Sequence, residues 1–367
     1  MDSLEAIIEI PIRGVRIEFE GGGCISFERE GNLIGNYVAS VLPKGSGEWV
    51  KLEVEPSELD TRLSRRMWEK RQNYIDFKEA IDSLSPGALF IGANRLTEAY
   101  QGELHDRRSG SQSAGGSEAK NPIGSLLSTL EKMFTQLALA ELSSEGASDQ
   151  SMAYSNTTDA ILSMQPAPSG SVAREQLENT IVELLELGPP YEKYGLISLR
   201  QVRDIKNKIS DVRSNHRNLM YLHAALMPYF DTLQEQINSL LKAQSLIDRY
   251  VTTINYFLDR KQLQFSSSRG FSLEGSDGES LDPALLSSGE QHLIYLITQT
   301  VLATKTSKFV IIDEPEISLG IDWQRDLLYR LLFCTEPQPT QILVASHSIQ
   351  VMDFLDDEAI VIPGELE

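Results

Sequence analysis

The 367 residues read as an α/β protein with a β-meander lobe at its start and a helical insertion in its middle. Three patterns carry that reading. Near the N-terminus apolar and polar residues alternate; between about 199 and 257 apolar residues recur every three or four positions; from 281 onward short apolar runs alternate with helical segments.

Taken in order, "GVRIEFE" and "CISFERE" flank "GGG", and "EWVKLEVE" follows "PKGSG", which predicts a meander or a pair of hairpins. A helical period then runs through "SELDTRLSRRMWEKRQNYIDFKEAIDSL", with Ser57 as its cap and Asp60 three residues on, and "ALFIGANR" follows as a buried strand. Residues 1–100 are thus expected to form a β-rich lobe. From Gln101 the composition shifts to Ser, Gly, Ala and Asn in "RRSGSQSAGGSEAKNP", "SSEGASDQSMAYSNTTD" and "QPAPSGS", which reads as loops interrupted by an amphipathic helix, "SLLSTLEKMFTQLALAEL". Leu199, Val202, Ile205, Ile209, Val212, Leu219, Leu222 and Leu226 then mark one apolar stripe. A continuous helix over that span would be about 40 Å long, with Pro228 kinking it or starting the turn into a second helix. The second helix carries Leu233, Ile237, Leu240, Ile247, Val251, Ile254 and Phe257, so residues 101–270 are expected to form loops and a helical arm or lid.

After "SSSRGFSLEGSDGESLDP" the chain turns to βα alternation, the expected C-terminal lobe of 271–367. "SSGEQHLIYLITQTVLAT" is a helix opened by Ser287 or Ser288, with Glu290 at capping-box spacing from Ser287. "KFVII" and "TQILVAS" are buried strands, "DWQRDLLYRLLFC" a helix capped by Asp322, "IQVMDFLD" a short helix and "AIVIP" a last strand. Strands joined through helices imply a parallel sheet whose functional loops lie at the carboxyl ends of the strands. Asp313 and His347 both fall there.

Composition narrows the function classes. With 33 Lys and Arg against 53 Asp and Glu the formal net charge is −20, which argues against a broad, sequence-independent grip on nucleic acid. Locally basic stretches, "TRLSRRMWEKR" and Arg200 to Arg217, are read first as solvated helix faces. Two cysteines, Cys24 and Cys334, imply no disulfide framework, and the five histidines show no zinc spacing. No secretory leader or run long enough to cross a bilayer is legible, so the expectation is a cytoplasmic protein without a membrane partner.

The chemistry lies in three stretches: "LSSGEQ" (286–291), "FVIIDE" (309–314) and "ILVASH" (342–347). A strand ending in Asp-Glu places Asp313 where a carboxylate holds Mg²⁺, directly or through water, and Glu314 where it orients or deprotonates a water attacking a γ-phosphate. His347 at the end of a neighbouring strand reaches the same phosphate, and a Ser-Ser-Gly turn at a helix start offers amides and hydroxyls to an anion. Each stretch alone has a blander reading, as solvated acids, a structural histidine or a helix cap. The three in this order point to phosphoanhydride chemistry.

These stretches resemble the ABC-type ATPase heads of the RecF, SMC and OLD-like group, found in DNA repair, chromosome organisation and bacterial antiphage systems. "LSSGEQ" looks like the signature motif, "FVIIDEPEISLGIDWQ" like the Walker B and D-loop, and "ILVASHS" like the switch-histidine segment. The resemblance implies an ABC-type P-loop NTPase-like sheet and two heads that sandwich ATP, each signature serving the nucleotide of the other head. On it, Ser287, Ser288, Gly289 and Glu290 are expected at the nucleotide, Asp313 at Mg²⁺, Glu314 at the attacking water and His347 at the γ-phosphate. Gly320 stands where many relatives carry a histidine and receives no role; Arg95 ends a core strand near where relatives often carry an arginine. The chain departs from the family in having no GxxxxGK[ST]: "EGGGC" and "PKGSGE" read as hairpin turns. "DSLEAIIEI" looks like the end of a P-loop helix, so a phosphate cradle is expected upstream of Met1, on another chain, or lost. The expected partner is a second copy or a related head, with an effector or nuclease protein beyond it and DNA as a weaker expectation. The expected function is an ATPase subunit coupled to a DNA-repair or defence partner; the alternative is a non-hydrolysing, ATPase-like scaffold.

Overall fold

The computed structural model describes residues 13–19, 22–29, 35–55, 71–84, 88–93, 122–144, 170–210, 218–307, 309–336 and 340–353. The fold is mixed α/β, as the sequence predicts, and divides into two compact units: Met1–Leu89 with Thr306–Phe309, and Phe90–Lys305 with Val310–Glu367. The three-part division 1–100, 101–270 and 271–367 follows sequence texture, whereas packing groups most of the second and third segments together.

In the first unit, β1 (Gly14–Glu18), β2 (Cys24–Glu28), β3 (Tyr37–Leu42) and β4 (Val50–Val54) form an antiparallel meander in that order. The register aligns Val15 with Phe27, Phe27 with Ala39 and Ala39 with Leu52, so one face is apolar across four strands. Helix α1 (Gln72–Leu84) covers that face with Phe77 and Ala80, closing a core with Phe27, Tyr37, Ala39, Val41, Leu52 and Val54. The glycine-rich stretches are hairpin turns, as expected. Gly22 and Gly45 lie at φ +87° and +76°, and the β1–β2 turn is closed by the Phe19 N–H donating to the Gly23 carbonyl at 2.9 Å. Strand β3, the short run "YVASVL", is an addition to the strands the sequence marks; Ser57, Asp60 and Arg95 lie outside the described residues.

The second unit holds α2 (Pro122–Ser144), α3 (Gly170–Leu187), the short α4 (Pro189–Lys193), α5 (Arg200–Ser210), α6 (Asn218–Ser239) and α7 (Leu241–Phe257). Along the long stripe α5 is described to Ser210, residues 211–217 lie outside the described set, and α6 runs from Asn218 through Pro228 to Ser239. Of the two roles open to Pro228, a kink or the start of the turn, the second is excluded: the helix runs through it and the turn falls at Leu240. A proline inside a helix forfeits one backbone hydrogen bond, and burial of Leu219, Phe230, Leu233 and Ile237 offsets that loss. These helices share one core, in which Leu177, Ile181 and Leu184 of α3 meet Val202, Phe230, Leu233, Ile237 and Ala243.

The linker-like stretch after Phe257 folds as an antiparallel trio: β6 (Lys261–Ser266), β7 (Gly270–Gly275) and β8 (Ser280–Leu281). The sequence reading missed it because Ser, Gly and Asp mask the alternation of Leu263, Phe265, Phe271 and Leu273. Asn255, near the end of α7, tethers it by pairing with both the N–H (2.7 Å) and the carbonyl (2.9 Å) of Leu263. There follow α8 (Ser288–Thr306), β9 (Phe309–Asp313), α9 (Ile321–Thr335), β10 (Gln341–Ala345) and α10 (Ile349–Met352). The sheet order is β10-β9-β5, with β5 at Ala88–Ile91. The Glu314 N–H donates to the Ala345 carbonyl at 2.8 Å, so β9 and β10 end side by side and run the same way. Helix α9 is capped by Gly320, not Asp322, which sits in its first turn; "AIVIP" lies outside the described residues.

Candidate functional site

Two clusters are built on these strand ends and on the start of α8. At the first, Asp313 closes β9 and Glu314 turns off it with φ +46°, in the left-handed region that a residue with a side chain rarely occupies. Pro315 bars a right-handed helical conformation at Glu314. The turn is held by the Glu314 N–H on Ala345 and by the Ile317 N–H donating to the Glu314 carbonyl at 3.3 Å. It brings the Glu314 carboxylate to 4.0 Å from Nε2 of His347, near contact but beyond a hydrogen bond. The His347 imidazole is otherwise open to solvent, with its side chain 91% exposed.

Backbone and side chains beyond the expected set hold this arrangement. The His347 N–H donates to Oε1 of Glu316 at 2.8 Å. Gln324 of α9 donates through Nε2 to the Leu319 carbonyl (2.8 Å) and accepts from the Ser348 hydroxyl (2.6 Å), and Ser348 caps α10. Glu316 stands inside the acidic stretch but carried no assignment in the sequence reading, and nothing in the sequence marks Gln324 and Ser348 as a pair.

At the second cluster, Ser287 and Glu290 form the capping box that their spacing predicts. The Ser287 N–H donates to Oε2 of Glu290 at 2.7 Å and the Glu290 N–H to Oγ of Ser287 at 3.3 Å. Ser287 and Ser288 are exposed, while Gly289 and Glu290 are buried. Glu290 faces inward and is paired with Lys261 of β6, whose Nζ lies 2.9 and 2.8 Å from the two carboxylate oxygens. Burial alone would raise the Glu290 pKa; the Lys261 ammonium and the Ser287 amide outweigh it and hold the carboxyl below its ordinary value. Lys261 lies 29 residues upstream, so only the β6 strand, invisible in the sequence, could have revealed it.

The clusters meet through the turn after Glu314. A methyl group at Gly289 would fall 2.6 Å from the Ser318 carbonyl oxygen, so the start of α8 rests directly on the 315–320 turn. Ser318, at φ +65°, shares the left-handed backbone of Glu314. A side chain at Gly320, by contrast, would meet open space, and its φ of −64° is ordinary. Among the described residues no group of three or more His, Cys, Asp or Glu forms a complete metal cage. Both cysteines are buried and free, and no helix among the described residues is long and apolar enough to cross a membrane.

No curated protein sequence matches the chain. Among solved structures, the Smc head domain with an extended coiled coil bound to the C-terminal domain of ScpA, from Pyrococcus furiosus, aligns at 10% identity over 90% of this chain and 72% of that one, with a TM-score of 0.33. The Smc head domain with a coiled coil and joint from Pyrococcus yayanosii aligns at 10% identity over 91% of this chain and 79% of that one, with a TM-score of 0.26. Residues 180–353, a span holding every site residue from Ser287 to His347, match the family described as "AAA domain, putative AbiEii toxin, Type IV TA system", and over that span the chain is similar to AAA-type ATPases.

Proposed function

We propose that this chain is the catalytic body of an ATP-hydrolysing head that closes on a second head around Mg-ATP and transmits the closure to a protein partner, in DNA repair or antiphage defence. The observation that carries the reading is the placement of Glu314 beside His347 at the ends of two adjacent strands, on a backbone turned into the left-handed region. Asp313, ending the same strand, would hold Mg²⁺, and the ion when bound would neutralise charge developing on the phosphate oxygens. Glu314 orients the attacking water and takes its proton, and His347 donates a hydrogen bond toward the γ-phosphate. Ser287, Ser288 and Gly289 present hydroxyls and amides at the α8 N-terminus to the nucleotide of the facing head. Glu290 serves the same surface from behind, fixing Ser287 through the capping box while Lys261 neutralises it.

The test is ATP-dependent dimerisation and steady-state hydrolysis by the full-length gene product. Glu314→Gln should abolish turnover, by about 100-fold or more, while trapping an ATP-bound dimer visible by size exclusion with light scattering. A second reading, a nucleotide-inert scaffold, is favoured by one observation, the lack of a GxxxxGK[ST] stretch in the sequence. It predicts no binding of Mg-ATP by calorimetry and no change of mass on adding nucleotide.

A further inference from the structure

His347 carries its imidazole into solvent, 4.0 Å from the Glu314 carboxylate. Strand β10 ends at Ala345 and α10 begins at Ile349, so residues 346–348 lie outside any ladder or helix. Two side chains from the neighbouring turn and helix grip this short span. Oε1 of Glu316 accepts the His347 N–H at 2.8 Å, and Gln324 accepts the Ser348 hydroxyl at 2.6 Å. The Glu316 grip is charge-assisted, which makes it stronger than an amide–carbonyl bond. It also starts two residues from Glu314, on the same turn, whose Leu319 N–H donates to the Glu316 carbonyl at 3.0 Å. A displacement of the acidic turn is therefore carried to the histidine through this carboxylate, alongside the Glu314–Ala345 backbone bond at the strand end.

We propose that Glu316 is a positioning residue: its carboxylate clamps the His347 amide and so fixes the imidazole at its place beside Glu314. Its catalytic consequence rests on the ATPase reading; the hydrogen bond that forms the clamp does not. The second oxygen, Oε2, is buried and accepts no hydrogen bond among the described residues.

Two measurements on the full-length protein decide the matter. Amide exchange at His347, followed by ¹⁵N-resolved spectroscopy, should quicken by about tenfold in Glu316→Ala, the loss of roughly one hydrogen bond, and be restored in Glu316→Gln, which keeps an oxygen acceptor. Unchanged exchange in Glu316→Ala overturns the clamp. In steady-state hydrolysis, Glu316→Ala should lower kcat by about tenfold or more with KM within twofold, and Glu316→Gln should recover most of it. His347→Ala should lower kcat as well, and the double variant should be no slower than His347→Ala alone, because Glu316 acts through that histidine. Additive losses, or wild-type kcat in Glu316→Ala, overturn the positioning role. A wild-type protein without hydrolysis defeats the ATPase reading and the catalytic role with it; amide exchange then decides the clamp by itself.

Discussion

At the scale of single residues, Gly289 and Glu290 show how a short motif serves two masters. Gly289 is glycine because the Ser318 carbonyl oxygen occupies the space of a side chain. Gly289→Ala should force α8 off the 315–320 turn and cost about 1–3 kcal/mol in urea unfolding. Gly320→Ala meets open space and should cost only what a poorer N-cap costs, at most about 1 kcal/mol in the same assay. Glu290 ties stability to pH. Its carboxyl is held below the ordinary value, so its contribution is present above that ordinary range and is lost as pH falls through the lowered folded value. Glu290→Gln should therefore destabilise by about 2 kcal/mol at pH 7, and the difference in Tm from wild type should shrink below about pH 4.5. At this scale the sequence was informative where chemistry is local: the capping box follows from spacing, and Asp313 and His347 from their places after apolar runs. The Lys261–Glu290 and Gln324–Ser348 pairs stayed hidden because their members lie 29 and 24 residues apart along the chain.

Secondary elements were legible where their period was clean, as in α2, α8, β9 and β10. Tertiary packing decides where local preference is ambiguous or weak: α6 continues through Pro228, where a kink or a turn was open, and β6–β8, which the sequence does not mark, form from a Ser- and Gly-rich stretch. Helix ends show the same dependence. Leu240, before α7, offers no side-chain cap, and the exposed start of that helix is served from α2, where Oε2 of Glu141 accepts the Ala243 N–H at 3.0 Å. Glu141→Ala should cost about 1 kcal/mol, the usual worth of an N-cap, although no cap residue changes. Helix α9 buries Cys334, whose thiol is pushed up to about 12 by desolvation. Neither cysteine should react with a thiol reagent in the native protein at pH 8, and both should react in denaturant.

For the molecule as a whole, composition set the broad outline and left the partition into units unmarked. Leu52 in the first unit and Ile181 in the second belong to separate cores that share no residue. Leu52→Ala and Ile181→Ala should each cost about 2–5 kcal/mol, and the double variant should equal their sum within about 0.5 kcal/mol in denaturant titration. The N-terminal lobe was legible as β-rich, yet nothing in the sequence showed that Thr306–Phe309 belongs with it. That membership has a consequence on the ribosome. The first unit is complete only after the chain has been extended by roughly 200 further residues, about 10–40 s of synthesis at ordinary rates. Every member of the core between the meander and α1 lies between Ile25 and Leu84, so that core can close early in synthesis and then waits for its last short segment, while the second unit, which runs to Glu367, is finished later still.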